Sequence, residues 1–181
     1  MDLSLSLLLI RFAAGLLLMG HGAQKLVGIG GGPGARKWTG AVGQMGFRPA
    51  ALWAALSIGA ELVGGFAIAI GFLTPLAAAI LVSQLFVAIV KAHWSKGLWI
   101  TAGGYEYTLM LLVVVTAIGL GGPGRYSVDA VLGLDAVSAV IFVPLAAIAV
   151  IVDALVIHNA PKPAAPQRDE TRRTDEVRRA A

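Results

Sequence analysis

Apolar residues fall in five long runs, roughly 3–20, 50–72, 74–91, 104–120 and 136–157. Each approaches or exceeds the ~17–25 residues that an α-helix needs to cross a bilayer. The runs predict an all-α fold: a polytopic membrane protein with a four-helix transmembrane bundle as its core and a fifth, C-terminal transmembrane helix. FLTP (72–75) is too short for anything but a tight turn, so the second and third spans pair as an antiparallel hairpin. Segment 21–49 reads as a loop, glycine-rich over GIGGGPG (28–34), and 91–104 as another. GGPGRYSVDAVLG (121–133) reads as a turn and a short helical start, with Ser127 as N-cap and Asp129 in the first turn. Pro144 predicts a bend in the fifth span. The divisions expected are a core over 1–133, the additional helix over 134–158, and a charged, largely disordered tail over 159–181.

Charge orients the spans, because Lys and Arg collect on the cytoplasmic side. With five crossings, one side holds Lys25, Arg36, Lys37, Arg48, Lys91, Lys96, Lys162, Arg168, Arg172, Arg173, Arg178 and Arg179, and the other only Arg125. Four crossings would divide the bases almost evenly. The expectation is a multi-pass protein of the plasma membrane, N-terminus outside and tail cytoplasmic. Trp38, Trp53, Trp94, Trp99, Tyr105 and Tyr107 fall near the inner boundary, as an aromatic belt does.

Composition agrees. The 181 residues are 57% hydrophobic and 13% charged, against about 25% charged in soluble domains, and mean hydropathy is +0.81. The net charge of +4 does not point to nucleic acid, because most of the bases flank apolar runs. The chain has no cysteine, which excludes disulfides, thiolate chemistry and Cys-ligated metal within it. No metal site is expected.

Ionisable residues inside the apolar runs are the candidates for chemistry, since a charge at the bilayer centre costs ~2.5–3.5 kcal/mol on insertion scales. Arg11, Gly15, Leu18, Gly22 and Lys25 step by four and three and share one helix face. Counted from the expected inner ends at ~1.5 Å per residue, Arg11 lies roughly 14 Å deep, Glu61 roughly 16 Å deep, and Gln84 at a similar level. Arg11, Glu61 and Gln84 are therefore expected to form an intramembrane polar centre, with an Arg11–Glu61 ion pair. Such a pair either locks the first two helices in register or forms a binding or proton-handling site. Ala60, Gly64 and Gly65 beside Glu61 favour close helix contact. His21, Lys25, His93, Tyr105 and Glu106, with Lys91, form a second cluster at the inner mouth. It suits an amphipathic ligand with a polar head, such as a quinone or a lipid headgroup, or else is interfacial snorkelling alone.

These stretches together resemble the DoxX family of membrane proteins. The resemblance rests on RFAAGLLLMGHGAQKL (11–26), GFRP (46–49), GAELVGGFAIAIGFLTPLAA (59–78), KAHW (91–94), GGYEYTLMLL (103–112) and GPGRYSVD (122–129). Its motif positions here are Arg11, His21, Gly22, Lys25, Glu61, Gly65, Tyr105, Glu106 and, in the last turn, Gly124, Ser127 and Asp129. The resemblance implies a four-helix membrane core. It also implies a role in membrane redox complexes, one of them quinone-linked, or in resistance to oxidative or thiol stress. The chain carries no redox group of its own, so electrons would come from a partner oxidoreductase or other membrane-associated subunit, with quinone as the cofactor class. The other functions in view are a small-molecule or lipid carrier using the midplane residues, and a scaffold without catalysis.

Overall fold

The computed structural model describes residues 3–134 and 138–161. Residues 162–181, most of the expected charged tail, and 135–137, near the start of the expected fifth span, lie outside the described residues. Helix α1 spans Leu3–Val27, well past the expected end at 20. Its buried residues are Arg11, Ala14, Gly15, Leu18 and Gly22, the face that the four-and-three spacing defines.

The expected loop at 21–49 is largely helical. Beyond the end of α1, helix α2 covers Gly34–Gln44. Trp38 and Val42 are one turn apart and settle with Phe47, Trp53 and Ala54 into a small apolar cluster, which supplies the burial that makes so short a helix stable. The glycine-rich stretch is confined to the connection, where Gly28, Gly30, Gly31 and Gly34 take positive φ.

Helix α3 (Ala50–Ile70) and helix α4 (Thr74–Lys96) form the antiparallel hairpin. Gly71 ends α3 in the left-handed region at φ 69°, and a Cβ there would meet the Arg11 guanidinium. Both helices contain a π-helical turn, Ala60–Gly64 in α3 and Ile89–His93 in α4. Such turns widen the helix locally and are frequent at functional sites. Helix α5 (Glu106–Gly121) buries Thr108, Leu111, Val115 and Ile118, a stripe at helical spacing. Its 16 residues rise about 24 Å, short of a ~30 Å hydrocarbon core. A single turn, α6 (Val128–Val131), has Ser127 as its N-cap, as expected. Helix α7 (Ser138–Asn159) runs through Pro144.

Four of these helices, α1, α3, α4 and α7, are long and apolar enough to cross a membrane. The fold is all-α, with no strand among the described residues. Leu18, Ile68, Ala78, Leu81, Val115, Ile118 and Phe142 form one continuous core. Phe142 brings α7 into it by lying flat on α5 at Gly119, where a Cβ would stand 2.5 Å from its ring. The C-terminal helix is thus part of the bundle.

The contact of α1 with α3 is closest at glycine. A Cβ on Gly15 would lie 2.5 Å from the Gly65 carbonyl oxygen. Gly15→Ala should therefore push the helices apart and destabilise the bundle by ~1–3 kcal/mol, the usual range for overpacking. A fall in melting temperature in detergent would check it, with Gly20→Ala, where a Cβ meets nothing within 4 Å, as the matched control.

Candidate functional site

Two polar clusters occupy opposite ends of the bundle. At the end where α1 begins, Arg11 is 1% exposed. Its Nε donates to the Ala69 carbonyl at 3.3 Å, one Nη to that of Pro123, and the other to that of Tyr126 at 2.5 Å. Asp129 interacts with it electrostatically. The Asp129 carboxylate in turn accepts the Leu73 and Thr74 amides at 2.7 and 2.8 Å, capping the N-terminus of α4. Ser127 Oγ donates to the Gly124 carbonyl at 2.6 Å and accepts the Ala130 amide at 3.1 Å. Arg11, Gly124, Ser127 and Asp129 therefore fasten the 71–73 turn to the 122–129 turn. This is a structural clasp.

The expected Arg11–Glu61 pair does not form, and Arg11 takes no part in the hydrogen bonding of Glu61. Two physical facts separate them. Gly22 lies against Leu62, and Gly15 against Gly65 and Ala69. That register sets Arg11 level with the 71–73 turn, about 15–18 Å along the axis from Glu61 at ~1.5 Å per residue. Helical side chains also lean toward their own N-terminus. On antiparallel α1 and α3, Arg11 and Glu61 lean away from each other, whereas Lys25 and Glu61 lean together.

Lys25 is the partner Glu61 finds. Its Nζ stands 2.5 Å from Glu61 Oε1, with the two side chains 13% and 6% exposed. The same ammonium donates to Ser57 Oγ at 3.1 Å and lies 4.4 Å from the centre of the Trp38 ring. Gln84 Nε2 donates to Ser57 Oγ at 3.0 Å and Glu61 Oε1 at 3.3 Å. Both bonds to Glu61 fall on one carboxylate oxygen, Oε1. Glu61 Oε2 is buried without a partner, and so is the Trp38 indole N–H.

These groups line a cavity of about 710 Å³, reaching from Leu18, Ile80 and Leu111 in the bundle to His93, Lys96 and Gly103 at the loops. The two sites expected from the sequence merge here, because Glu61 and Gln84 share its wall with His21, Lys25 and His93. His21 Nε2 is 3.2 Å from Tyr107 Oη, and His93 Nδ1 is 2.9 Å from the Gly103 carbonyl. Tyr105 and Glu106 are not in the wall. Tyr105 stacks on Trp94, 5.3 Å between centroids and 12° between planes, and Glu106 accepts the Ile100 amide at 3.0 Å. Both hold the 97–106 loop closed. Lys91 lies over the Phe47 ring, 5.7 Å from its centre.

Polar wall residues outside the expected site residues include Ser57, Ser83, Tyr107, Trp38 and Asp153 of α7. Asp153 had a legible signal, a carboxylate within a 20-residue apolar helix, and such a residue marks function by default. Tyr107 had none beyond its place in the aromatic belt. No group of three or more potential metal ligands occurs among the described residues.

Fold and site together define a multi-pass helical membrane protein that encloses a polar-centred cavity. The DoxX family model matches residues 6–94, a stretch holding most of α1 and α4, all of α2 and α3, and both ends of the Lys25–Glu61 pair. The chain thus carries a DoxX-family domain over residues 6–94. No curated protein and no solved structure matches it.

Proposed function

We propose that this DoxX-domain protein is an integral subunit of a membrane redox assembly and that its cavity receives the ring of a quinone-class lipid. The observation that carries the reading is that Glu61 Oε2 and the Trp38 N–H are both buried without a partner. Both are in the wall of an otherwise mainly apolar space. A buried polar atom without a partner costs ~1–3 kcal/mol, so this pair asks for a ligand head that both donates and accepts. The apolar remainder suits a ring and its tail. Lys25 holds Glu61 in place, and His21 with Tyr107 borders the head.

Electrons pass to and from a partner's cofactor, since this chain supplies binding and not redox chemistry. In this reading the loop end of the cavity faces the cytoplasm, where the basic residues of α2 and the 91–104 segment collect. The full chain, purified in mild detergent and extracted with organic solvent, should release quinone near one per chain. A co-purifying oxidoreductase should appear in the same pull-down. Recovery of neither would overturn the proposal.

A further inference from the structure

The cavity has a second acceptor wall, and it comes from outside the stretch that defines the family. Residues 6–94 match the family model, whereas Asp153 belongs to α7. Its Oδ2 accepts from Ser83 Oγ at 2.7 Å, and both residues line the same cavity as Glu61. Ser83 and Gln84 are consecutive on α4 and diverge by about 100° around its axis. Each is bonded to a different carboxylate, Gln84 to Glu61 and Ser83 to Asp153. Helix α4 therefore stands between two acid groups, one on each neighbouring helix.

We propose that Asp153 is a second anchor for the ligand head, and that the two carboxylates make the cavity selective for the reduced, dihydroxy form of the ring. The inference rests on the quinone-class reading above. An ionised carboxylate offers about four acceptor positions and no donor. One Ser83 hydroxyl leaves most of those on Asp153 open, and Glu61 Oε2 has none filled. The nearby strong donors are already engaged: Lys25 and Gln84 both serve Glu61 Oε1 and Ser57. A quinol brings a hydroxyl donor at each end of its ring, one for Glu61 and one for Asp153. The oxidised ring brings carbonyl acceptors at both ends, and neither carboxylate can use them. The Trp38 N–H is left to donate to a ring oxygen of either form.

Calorimetric titration of the full chain in detergent tests this with three probes: a decyl-substituted benzoquinol kept reduced under argon, its mono-methyl ether, and the oxidised benzoquinone. The quinol should bind about tenfold more tightly than the mono-ether, the loss expected for one charge-assisted hydrogen bond, and about a hundredfold more tightly than the quinone, which lacks both donors. In Asp153→Leu the quinol and mono-ether should become equal, and in Asp153→Asn the gap should narrow. Should the Leu variant fail to give a monodisperse folded species, the Asn variant decides. Equal binding of quinol and mono-ether by the native chain, or a tenfold gap that survives in both variants, would overturn the role of Asp153 while leaving the quinone reading standing. Binding of none of the three probes would overturn both.

Discussion

Replacing Arg11 by alanine should unfold the bundle from the end at which α1 begins. Three carbonyls, those of Ala69, Pro123 and Tyr126, would lose their shared donor. At ~1–3 kcal/mol for each buried unsatisfied group, the loss comes to at least ~3 kcal/mol, a large share of the ~5–15 kcal/mol that holds a domain together. Asp129 would lose its nearby cation in the same step. Arg11→Lys keeps the charge but has no planar fork to reach three acceptors at once, so it should recover only part of the stability. Thermal unfolding followed by size-exclusion chromatography in detergent would rank native, Lys and Ala variants in that order. An alanine variant as stable as the native chain would remove the clasp from the account.

The second large effect concerns Lys25 and Glu61, where stability and function should separate. Glu61→Ala alone leaves an ammonium buried among Trp38, Ser57 and Gln84, and breaking such a pair from one side costs ~3–5 kcal/mol. Lys25→Met alone leaves the carboxylate in the same position. The double change Lys25→Met with Glu61→Leu removes both charges, and replacing a buried pair with apolar groups is often neutral or stabilising. The double variant should therefore melt near or above the native temperature, while retaining no quinone on solvent extraction. If instead it bound quinone normally, the pair would be a helix lock and nothing more. Exchanging the charges, Lys25→Glu with Glu61→Lys, should restore more stability than either single reversal, since the two groups lie 2.5 Å apart.

The same two charges illustrate how far the sequence could be read. The face of α1 was legible because Arg11, Gly15, Leu18 and Gly22 recur at helical spacing, and spacing is a local property. Ser127 as an N-cap was legible for the same reason: a short polar side chain next to its own helix start has few alternatives. Which acid met which base was not local. It depended on how far α1 slid along α3, and that in turn on α1 running to Val27. The slide is set by glycine contacts between residues some fifty positions apart, Gly15 on Gly65 and Gly22 on Leu62. The rule that side chains lean toward their helix N-terminus would have favoured Lys25 over Arg11 once the helices were known to be antiparallel.

Some of the site lay beyond pattern altogether. The sequence placed Glu61 and Gln84 at one depth and His21, Lys25 and His93 at another, as two sites. They share one cavity, which runs past the π-helical turns of α3 and α4 from the bundle to the loops, and no spacing rule announces such a turn. Tyr105 and Glu106 looked equally suited to the mouth, yet their partners Trp94 and Ile100 lie within eleven residues and draw them into the loop.

Membrane insertion, helical class, the number of long apolar runs and the buried stripe of each helix follow from hydrophobicity and period. Those are properties a residue carries wherever the chain goes. Which charges pair, which oxygen stays open and whether α7 supplies a wall follow from register and crossing between helices. Close packing settles those only when distant surfaces meet.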